Sequence, residues 1–327
     1  MSIGVLGSYV NANCLQVQRL PMCGESMLAE QWWAEVGGKG LNLAVGMHRL
    51  GLVTHTLLAI GQDAAGDHLL AFLQAEGMDA TGVIRTAQPS GFGVGLVTPA
   101  GQNLIVVYEG ANAALNAQHV QHWFDDTACA ESQLVCAQFE IPDQPIVTAF
   151  RLARQQGVTT LLNPSPWRVL NAELFALTDI LVVNETEAMG LLLLESSAPL
   201  TPVQWCEQLE QFAEQARISG IWQGQLLVVT LAEQGCVALA RGQGAVHAPA
   251  WSIIQQEPTG AGDAFAAGLA YAWVNAWSLA ETLRFANACG AIVAASHGVL
   301  TALPSQQAVA TFMATAISPA CPVLTHL

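Results

Sequence analysis

The sequence predicts an α/β fold, a three-layer α/β/α sandwich with a mostly parallel central sheet and a small separate β-sheet. Three observations indicate this. Short apolar runs alternate with helical patterns along most of the 327 residues, these runs are continuously apolar, and two segments break the rhythm. Continuous apolar strands separated by helices are typical of parallel sheets that are covered on both faces.

The predicted elements follow one another in order along the chain. The strands span 3–7, 54–60, 134–139, 159–162, 180–183 and 226–231. Helical patterns lie between them near 40–50, 64–76, 115–125, 143–156, 185–194 and 202–218. Three long helical patterns close the chain, near 261–276, 279–296 and 305–315. In such folds ligands gather at the carboxyl ends of the strands, so we expect the site at that edge.

Two segments, 14–36 and 91–109, resemble strand pairs rather than helices. In the second, GFGVGLVTP and LIVVYEG flank the turn AGQN. We expect the two segments to form a small sheet that covers the ligand cleft as a lid. The predicted division is 1–13, 37–90 and 110–315 for the α/β domain, 14–36 and 91–109 for the lid, and 316–327 for a C-terminal tail.

Composition and charge exclude several classes of function. With 52% hydrophobic residues the chain can build a large core. A net charge of −15 argues against sequence-independent binding to nucleic acid or to anionic membranes, because both need basic surface. No stretch of about 18 strongly apolar residues predicts a membrane span. The eight cysteines form no CxxC pair, so we expect reduced thiols and a cytoplasmic protein.

The segment EPTGAGDAF, residues 257–265, places small residues and a carboxylate at the start of an Ala-rich apolar helix. The amides of Gly260, Ala261 and Gly262 can approach an anion closely, and the helix dipole adds positive charge. Asp263 would repel a phosphate there, which suggests a chemical role such as accepting a proton from an attacking hydroxyl. The alternative is an ordinary first-turn Asp that the dipole favours.

Lys39 is the only lysine of the chain and lies in the Gly-rich segment GGKGLN. Any mechanism that needs a lysine must use this one. The residue after it is Gly40, so the segment is not the GK[ST] ending of a P-loop, and a Walker-type nucleotide site is excluded. The functional interpretation is a cation at a helix start that faces an anionic substrate. The alternative is a lysine retained by chance.

Five segments recur in a shared order: GGKGLNLAVGMHRLG (37–51), YEGANAAL (108–115), LNPSP (162–166), VNETEA (183–188) and TGAGDAF (259–265). In these segments the chain resembles the ribokinase family of sugar kinases, the phosphofructokinase-B-like group. The resemblance implies a ribokinase-like sandwich with a β-lid, ATP as phosphoryl donor, Mg²⁺, and a primary sugar hydroxyl as acceptor. It also implies a homodimer formed through the lid.

The resemblance assigns roles residue by residue. Asp263 resembles the catalytic base, and the amides of Gly260, Ala261 and Gly262 resemble an anion hole. The residues that it implies for the acceptor sugar are Gly38, Lys39, Asn42 and Glu140. Those that it implies for the nucleotide are Asn184, Thr230, Gly235 and Asn287.

Glu187 resembles a residue that influences Mg²⁺, partly through water. Asn184 and Glu187 also fit a helix capping box, and both interpretations can hold. Glu140 has the alternative of a solvated loop carboxylate, and Thr230 and Asn287 that of structural residues.

Three positions depart from the family pattern. Ala12 stands where the family has an Asp that binds sugar hydroxyls, so its neighbours Asn11 and Asn13 become candidates for reading a different hydroxyl pattern. Ala232 replaces a Gly beside the nucleotide. Glu257 replaces an Asp of a monovalent-cation site and keeps the charge on a longer side chain, so Glu257 is the candidate residue for K⁺.

These residues predict an ATP-dependent, Mg²⁺-requiring kinase for a pentose such as ribose. The first alternative is a kinase for another sugar or for a nucleoside on the same fold. The second is a non-catalytic sugar-binding regulator. A dinucleotide-dependent oxidoreductase is the weakest option, because no GxGxxG segment follows the first strand.

Overall fold

The computed structural model describes residues 1–99, 103–126, 131–195, 198–316 and 323–324. The strands in these ranges are β1 (Ser2–Leu6), β2 (Val10–Gln16), β3 (Gln31–Gly37), β4 (Val53–Ile60), β5 (Val83–Arg85), β6 (Gly91–Val97), β7 (Asn103–Tyr108), β8 (Leu134–Gln138), β9 (Thr159–Asn163), β10 (Ile180–Asn184), β11 (Leu226–Thr230), β12 (Cys236–Ala240), β13 (Ala245–Ala248) and β14 (Val323–Leu324).

The α-helices of the same ranges cover both faces of the larger sheet and close the chain. They are α1 (Lys39–Arg49), α2 (Ala64–Glu76), α3 (Ala117–Asp126), α4 (Asp143–Gln155), α5 (Ala172–Leu177), α6 (Glu185–Leu191), α7 (Pro202–Ser219), α8 (Ala261–Val274), α9 (Leu279–Ala294) and α10 (Gln306–Thr315). Each helix and strand predicted for the α/β layers is present within a few residues of its expected bounds.

The larger sheet has the order β14-β13-β12-β11-β10-β9-β8-β1-β4-β5 within the described residues. Its pairs from β11 to β5 are parallel, whereas β12, β13 and β14 extend it as antiparallel strands. The sequence patterns predicted neither this antiparallel extension nor the short elements β5 and α5.

The larger sheet separates two hydrophobic cores, one on each face. Alternate residues of a strand enter different cores, so Ile3 and Val5 of β1 pack with α1, α8 and α9, whereas Leu6 packs with α3, α4 and α7. Residues 3, 5 and 6 are fully buried, which explains why the strand reads as a continuous apolar run. These layers confirm the predicted α/β/α sandwich.

The smaller sheet has the order β3-β2-β6-β7 and is separate from the larger one. Its first strand begins at Val10, so residues 10–13, assigned to the larger domain from the sequence, pair with β3 and β6. Asn112 binds the backbone of Tyr9, where the chain passes from the larger sheet into the smaller one. Its side chain accepts a hydrogen bond from the Tyr9 amide at 3.0 Å and donates one to the Tyr9 carbonyl at 2.7 Å.

Three sequence expectations fall on residues outside the described ranges. These are most of the AGQN turn at 100–103, the thiols at 129 and 321, and most of the tail at 316–327. In the described part of the chain, no helix has both the length and the apolar character needed to cross a bilayer.

Helices α1 and α8 approach each other closely because small residues face one another. A Cβ added at Gly46 would lie 2.9 Å from the Cβ of Ala267. This close packing brings the beginnings of α1 and α8 together, although they are far apart in the sequence.

Candidate active site

The start of α8 forms an open turn that is lined by backbone amides. Gly260 precedes the helix with φ of 81°, and a Cβ there would lie 2.4 Å from Cγ1 of Val299. No side chain in the described ranges caps this helix end. The Ala261 amide donates to the Pro258 carbonyl at 3.1 Å, whereas no described side chain accepts from the first-turn amides. A Cβ at Gly262 would meet no described atom within 4 Å, so the space in front of the turn is open. This turn fits an anion such as a phosphate group.

Asp263 lies in the first turn of α8 and is only 6% exposed. Its Oδ2 accepts a hydrogen bond from Nδ2 of Asn42 at 2.8 Å. Burial raises the pKa of the Asp263 carboxyl, while Lys39 and the Asn42 hydrogen bond oppose that rise. A buried carboxylate with a raised pKa and one fixed hydrogen bond is suited to accept a proton.

Asn42 has one further property that points to a ligand. Its Oδ1 is buried and has no hydrogen-bond partner among the described residues. A buried amide oxygen without a partner is costly, so a bound polar group would satisfy it.

Lys39 is partly buried at the first position of α1, beside three carboxylates. The charge of Asp263 raises the pKa of Lys39 most, and Glu140 and Glu187 add to the effect, so the ammonium stays charged despite its desolvation. The only lysine of the chain thus lies within electrostatic reach of both Glu140 and the start of α8.

Glu140 is held in place at the carboxyl end of β8. Its Oε2 accepts from the Lys39 amide at 2.8 Å and from Oγ of Ser8 at 2.5 Å. Ser8 is fully buried and follows β1, the neighbouring strand of β8. Gly38 lies next to Ser8 and has a φ of 106°. A Cβ at Gly38 would lie 2.7 Å from the Ser8 carbonyl oxygen.

Arg168 fixes the backbone on both sides of Glu140. Its Nη1 donates to the Phe139 carbonyl and its Nη2 to the Ile141 carbonyl, each at 2.7 Å. The guanidinium carbon lies 4.0 Å from the centre of the Phe139 ring, and Nε donates to Asp143 at 2.8 Å. The planar guanidinium of Arg168 therefore sets the position of the loop that carries Glu140.

Ser8 and Arg168 were not identified from the sequence. Ser8 follows Gly7 directly after the first strand, and Arg168 follows the LNPSP segment by one residue. Both positions are next to motifs, but neither residue type reveals that it acts on another residue.

Asn184 and Glu187 form the capping box of α6, as the structural alternative predicted. The Glu187 amide donates to Oδ1 of Asn184 and the Asn184 amide donates to Oε2 of Glu187, both at 2.9 Å. Glu187 is 4% exposed, and its pKa is raised by burial. The charges of Lys39 and Asp263 also act on it, so this helix end belongs to the same cluster.

The remaining nucleotide candidates lie along β11 and α9. Thr230 ends β11 and pairs with Asn184 in the sheet. Gly235 has φ of 90°, and a Cβ there would lie 2.1 Å from the Ala248 carbonyl oxygen. Nδ2 of Asn287 donates to that same oxygen at 3.0 Å. Gly235 and Asn287 therefore meet at Ala248, and the amide of Asn287 links α9 to the end of β13.

Asn11 and Asn13 lie on the opposite face of the lid from Ala12. Residues that pair directly across strands share a face, so Ala12 lies with Glu35, whereas Asn13 lies with Ala34. Oδ1 of Asn13 accepts from Nε1 of the exposed Trp32 at 3.2 Å. The two asparagines share their face of the lid with Val36, Phe92 and Val94.

Glu257 lies between the lid and the turn that follows α9. Its Oε2 accepts from the Gly298 amide at 3.2 Å, and its own amide donates to the Ala294 carbonyl at 3.2 Å. These contacts connect the segment before α8 with the end of α9.

Comparison with known proteins agrees with this arrangement. Residues 2–306 match the pfkB family carbohydrate kinase. The chain is 32% identical over 303 residues to a ribokinase of Staphylococcus aureus, covering 92% of this chain and 95% of that protein. It is 27% identical to a deoxyribokinase of Salmonella typhimurium, covering 93% and 96% of the two chains.

Among solved structures, one of Arabidopsis thaliana ribokinase complexed with ribose and ATP superimposes with a TM-score of 0.81 at 26% identity. The superposition covers 95% of this chain and 98% of that one. Fold, site and sequence lead to one assignment: the chain belongs to the pfkB family of carbohydrate kinases, phosphotransferases that act on an alcohol group.

Proposed function

We propose that the protein transfers the γ-phosphoryl group of ATP to the primary hydroxyl of a pentose, ribose being the principal candidate. The observation that carries the proposal is the pairing of buried Asp263 with Asn42 at 2.8 Å, beside the uncapped start of α8. A proton acceptor thus lies next to a place where a phosphoryl group can be held. The relatives named ribokinase and deoxyribokinase support a pentose as acceptor.

In this proposal Asp263, Asn42 and the amides at the start of α8 each have one role. Asp263 accepts the proton of the acceptor hydroxyl, and Asn42 orients the Asp263 carboxylate. The amides of Gly260, Ala261 and Gly262 receive the negative charge that develops on the transferring group. Phosphoryl transfer depends mainly on such positioning and charge stabilisation.

Acceptor recognition would fall to the other side of the cleft. Glu140 and Lys39 offer an acceptor and a donor of hydrogen bonds in fixed positions, and Gly38 lets the sugar approach the backbone. The face of the lid that includes Ala12 offers no charge at that position. For this reason the acceptor is assigned only as a pentose, with another sugar or a nucleoside as the second candidate.

The polar residues near the start of α6 and at the end of β11 also fit the expected cofactors. ATP supplies the phosphoryl group, and Mg²⁺ neutralises its charge when bound. One carboxylate oxygen of Glu187 is engaged by the Asn184 amide, so we propose that Glu187 acts on Mg²⁺ through water, as suits a cation that keeps several waters. Asn184, Thr230, Gly235 and Asn287 are proposed for the nucleotide side, and Glu257 for a K⁺ site.

The test of this function is product formation by the purified protein. ADP and phosphorylated product are measured separately across pentoses, deoxypentoses, fructose-type sugars and nucleosides, with and without K⁺. We expect ribose or deoxyribose to rank highest. A nucleoside at the top of the ranking would favour the second candidate. Ligand binding without any ADP formation would instead indicate a sugar-binding regulator.

We further propose that the protein forms a homodimer through the face of the lid that carries Trp32, Phe92 and Tyr108. Apolar side chains on that face are exposed: Trp32, Phe92, Leu104, Val106 and Tyr108. Exposed apolar patches of this kind mark interaction surfaces. Sedimentation equilibrium at several protein concentrations measures the mass, and a monomer throughout would contradict the proposal.

Arg168→Ala is expected to weaken acceptor use because it releases the backbone on both sides of Glu140. We expect the KM for the acceptor to rise about tenfold to a hundredfold, since displacement of a binding group by about 1 Å has effects of this size. The KM for ATP should stay unchanged. Arg168→Lys should not restore activity, because an ammonium cannot reproduce the planar fork.

The matched control for Arg168 is Arg154→Ala, which removes another guanidinium that donates to a carbonyl, that of Ala176, away from the cleft. Steady-state kinetics with each substrate varied separately distinguishes the two variants. An equal rise of both KM values in Arg168→Ala would indicate general damage rather than loss of acceptor positioning.

Ala232→Gly is expected to stabilise the protein and to change nucleotide use. Ala232 has φ of 48°, in the left-handed region that costs a non-Gly residue about 1–2 kcal/mol, partly offset by the greater backbone entropy of Gly. A gain of about 0.5–1 kcal/mol should appear as a higher Tm. The KM for ATP should fall as well, because the turn lies between Thr230 and Gly235.

Ala276→Gly is the matched control, since Ala276 has φ of 55° at the end of α8, far along the helix from the site. Both variants should gain stability, but only Ala232→Gly should change the KM for ATP. Identical KM values in the two variants would remove Ala232 from the nucleotide site.

A further inference from the structure

A carboxylate of the lid contacts the turn after α9. Glu35 lies on β3 on the same face as Ala12, and its Oε1 would be 3.6 Å from a Cβ at Gly298. The Val299 amide lies close enough to the Glu35 carboxylate to lower the pKa of Glu35. In the same turn the Gly298 amide donates to Glu257 at 3.2 Å. Two carboxylates, Glu35 of the lid and Glu257 before α8, therefore lie beside consecutive amides of this turn.

The same turn supports the start of α8. The Val299 side chain packs on Gly260 so closely that a Cβ at Gly260 would lie 2.4 Å from Val299 Cγ1. Gly260 is the residue whose left-handed conformation forms the open turn. A continuous path of contacts thus joins Glu35 in the lid, Val299, and the place proposed to hold the phosphoryl group.

The position of Glu35 is unfavourable for a residue that serves stability alone. Burial and the charge of Glu257 raise the pKa of Glu35, and the Val299 amide and the Trp33 side chain only partly offset that rise. Groups held in such surroundings are enriched at functional sites. Lids of this kind exclude water and complete the site when they close.

We propose that Glu35 is a positioning residue that fixes the closed lid to the Gly298–Val299 turn and thereby sets the Gly260 turn for phosphoryl transfer. The kinetic part of this inference rests on the proposed function, whereas the contact itself does not. Glu35 touches neither substrate and acts through Val299.

The first test follows backbone exchange without any substrate. Hydrogen–deuterium exchange of Glu35→Ala, Glu35→Gln and the wild-type protein is followed in peptides that cover 257–265 and 296–303. We expect faster exchange in both peptides for Glu35→Ala. Glu35→Gln should stay close to wild type, because its amide oxygen can still accept from Val299. Unchanged exchange in Glu35→Ala overturns the inference, whether or not the protein is a kinase.

The second test compares ADP with phosphorylated product. Glu35→Ala should lose about tenfold or more in kcat/KM for the acceptor, and it should release more ADP per product, since water enters an open site. Val299→Ala should show the same excess of ADP with the lid carboxylate intact, which keeps the test informative if Glu35→Ala folds poorly. An unchanged ratio of ADP to product in both variants contradicts the inference.

Glu30→Ala is the matched control, because Glu30 is an exposed lid carboxylate next to β3 that pairs with Gln18 instead. It should match wild type in both tests. If Glu30→Ala shows the same faster hydrogen–deuterium exchange and the same excess of ADP over product as Glu35→Ala, the effect is a general loosening of the lid. The inference then fails. Failure of the proposed function has a different signature, namely a wild-type protein that forms no phosphorylated product.

Discussion

Asp263→Asn is expected to lower kcat by about two to four orders of magnitude, the usual contribution of a positioned base, while the fold stays intact. The amide keeps the size of the side chain but cannot accept the hydroxyl proton. Stability should be equal or higher. Because burial raises the pKa of Asp263, its charge destabilises the folded state at pH values above the ordinary pKa of an aspartate.

The control is Asp67→Asn, which alters another aspartate in the first turn of a helix, in α2, with a side chain that is 71% exposed. If Asp263 served only the helix dipole, the two variants would behave alike, and each would lose stability rather than activity. Measurements of kcat and of the thermal unfolding temperature for both variants distinguish the two roles. Near-normal turnover in Asp263→Asn would refute the assignment of the base.

Lys39→Gln is expected to reduce kcat/KM by about a hundredfold to a thousandfold, the effect of removing one charged or polar stabiliser of a transition state. The substitution removes the cation that the charges of Asp263, Glu140 and Glu187 surround. Lys39→Arg should recover part of the activity, since it restores the charge with a different geometry.

Lys39→Gln should also move the acid limb of the pH–rate profile. Lys39 lowers the pKa of Asp263, so its loss raises that pKa further, and a higher pH is then needed to ionise the base. The same variant should lose stability near neutral pH and regain it as the carboxyls protonate. Arg151→Gln, an exposed site paired with Glu173, is the control with the same change in net charge. An unmoved acid limb in Lys39→Gln would contradict the proximity of the two groups.

The sequence predicted the layers of the fold because its strands are short, apolar and buried on both faces. It also predicted the segments that meet at the start of α8, because each carries small residues or carboxylates at an element boundary. The antiparallel strands β12, β13 and β14 could not be predicted in this way. Their pairing depends on neighbours in the folded sheet rather than on a local pattern.

Indirect contacts limited the prediction of the site. Because side chains alternate along a strand, Asn11 and Asn13 lie on the other face of the lid from Ala12, and their part in acceptor binding stays a prediction. Ser8, Arg168 and Glu35 act on a neighbouring side chain, carbonyl or amide. Such roles become visible only when residues far apart in the sequence come within hydrogen-bond distance.

Two hydrogen bonds of the site join distant parts of the chain, and this has a consequence for folding. Ser8 and Glu140 are 132 residues apart in sequence, and Asn42 and Asp263 are 221 apart. Contacts across such separations form late, because closing long loops is entropically costly. A nascent chain released before α8 is made contains Asn42 and Glu140 but lacks Asp263. On refolding, activity should therefore return only with the slowest phase.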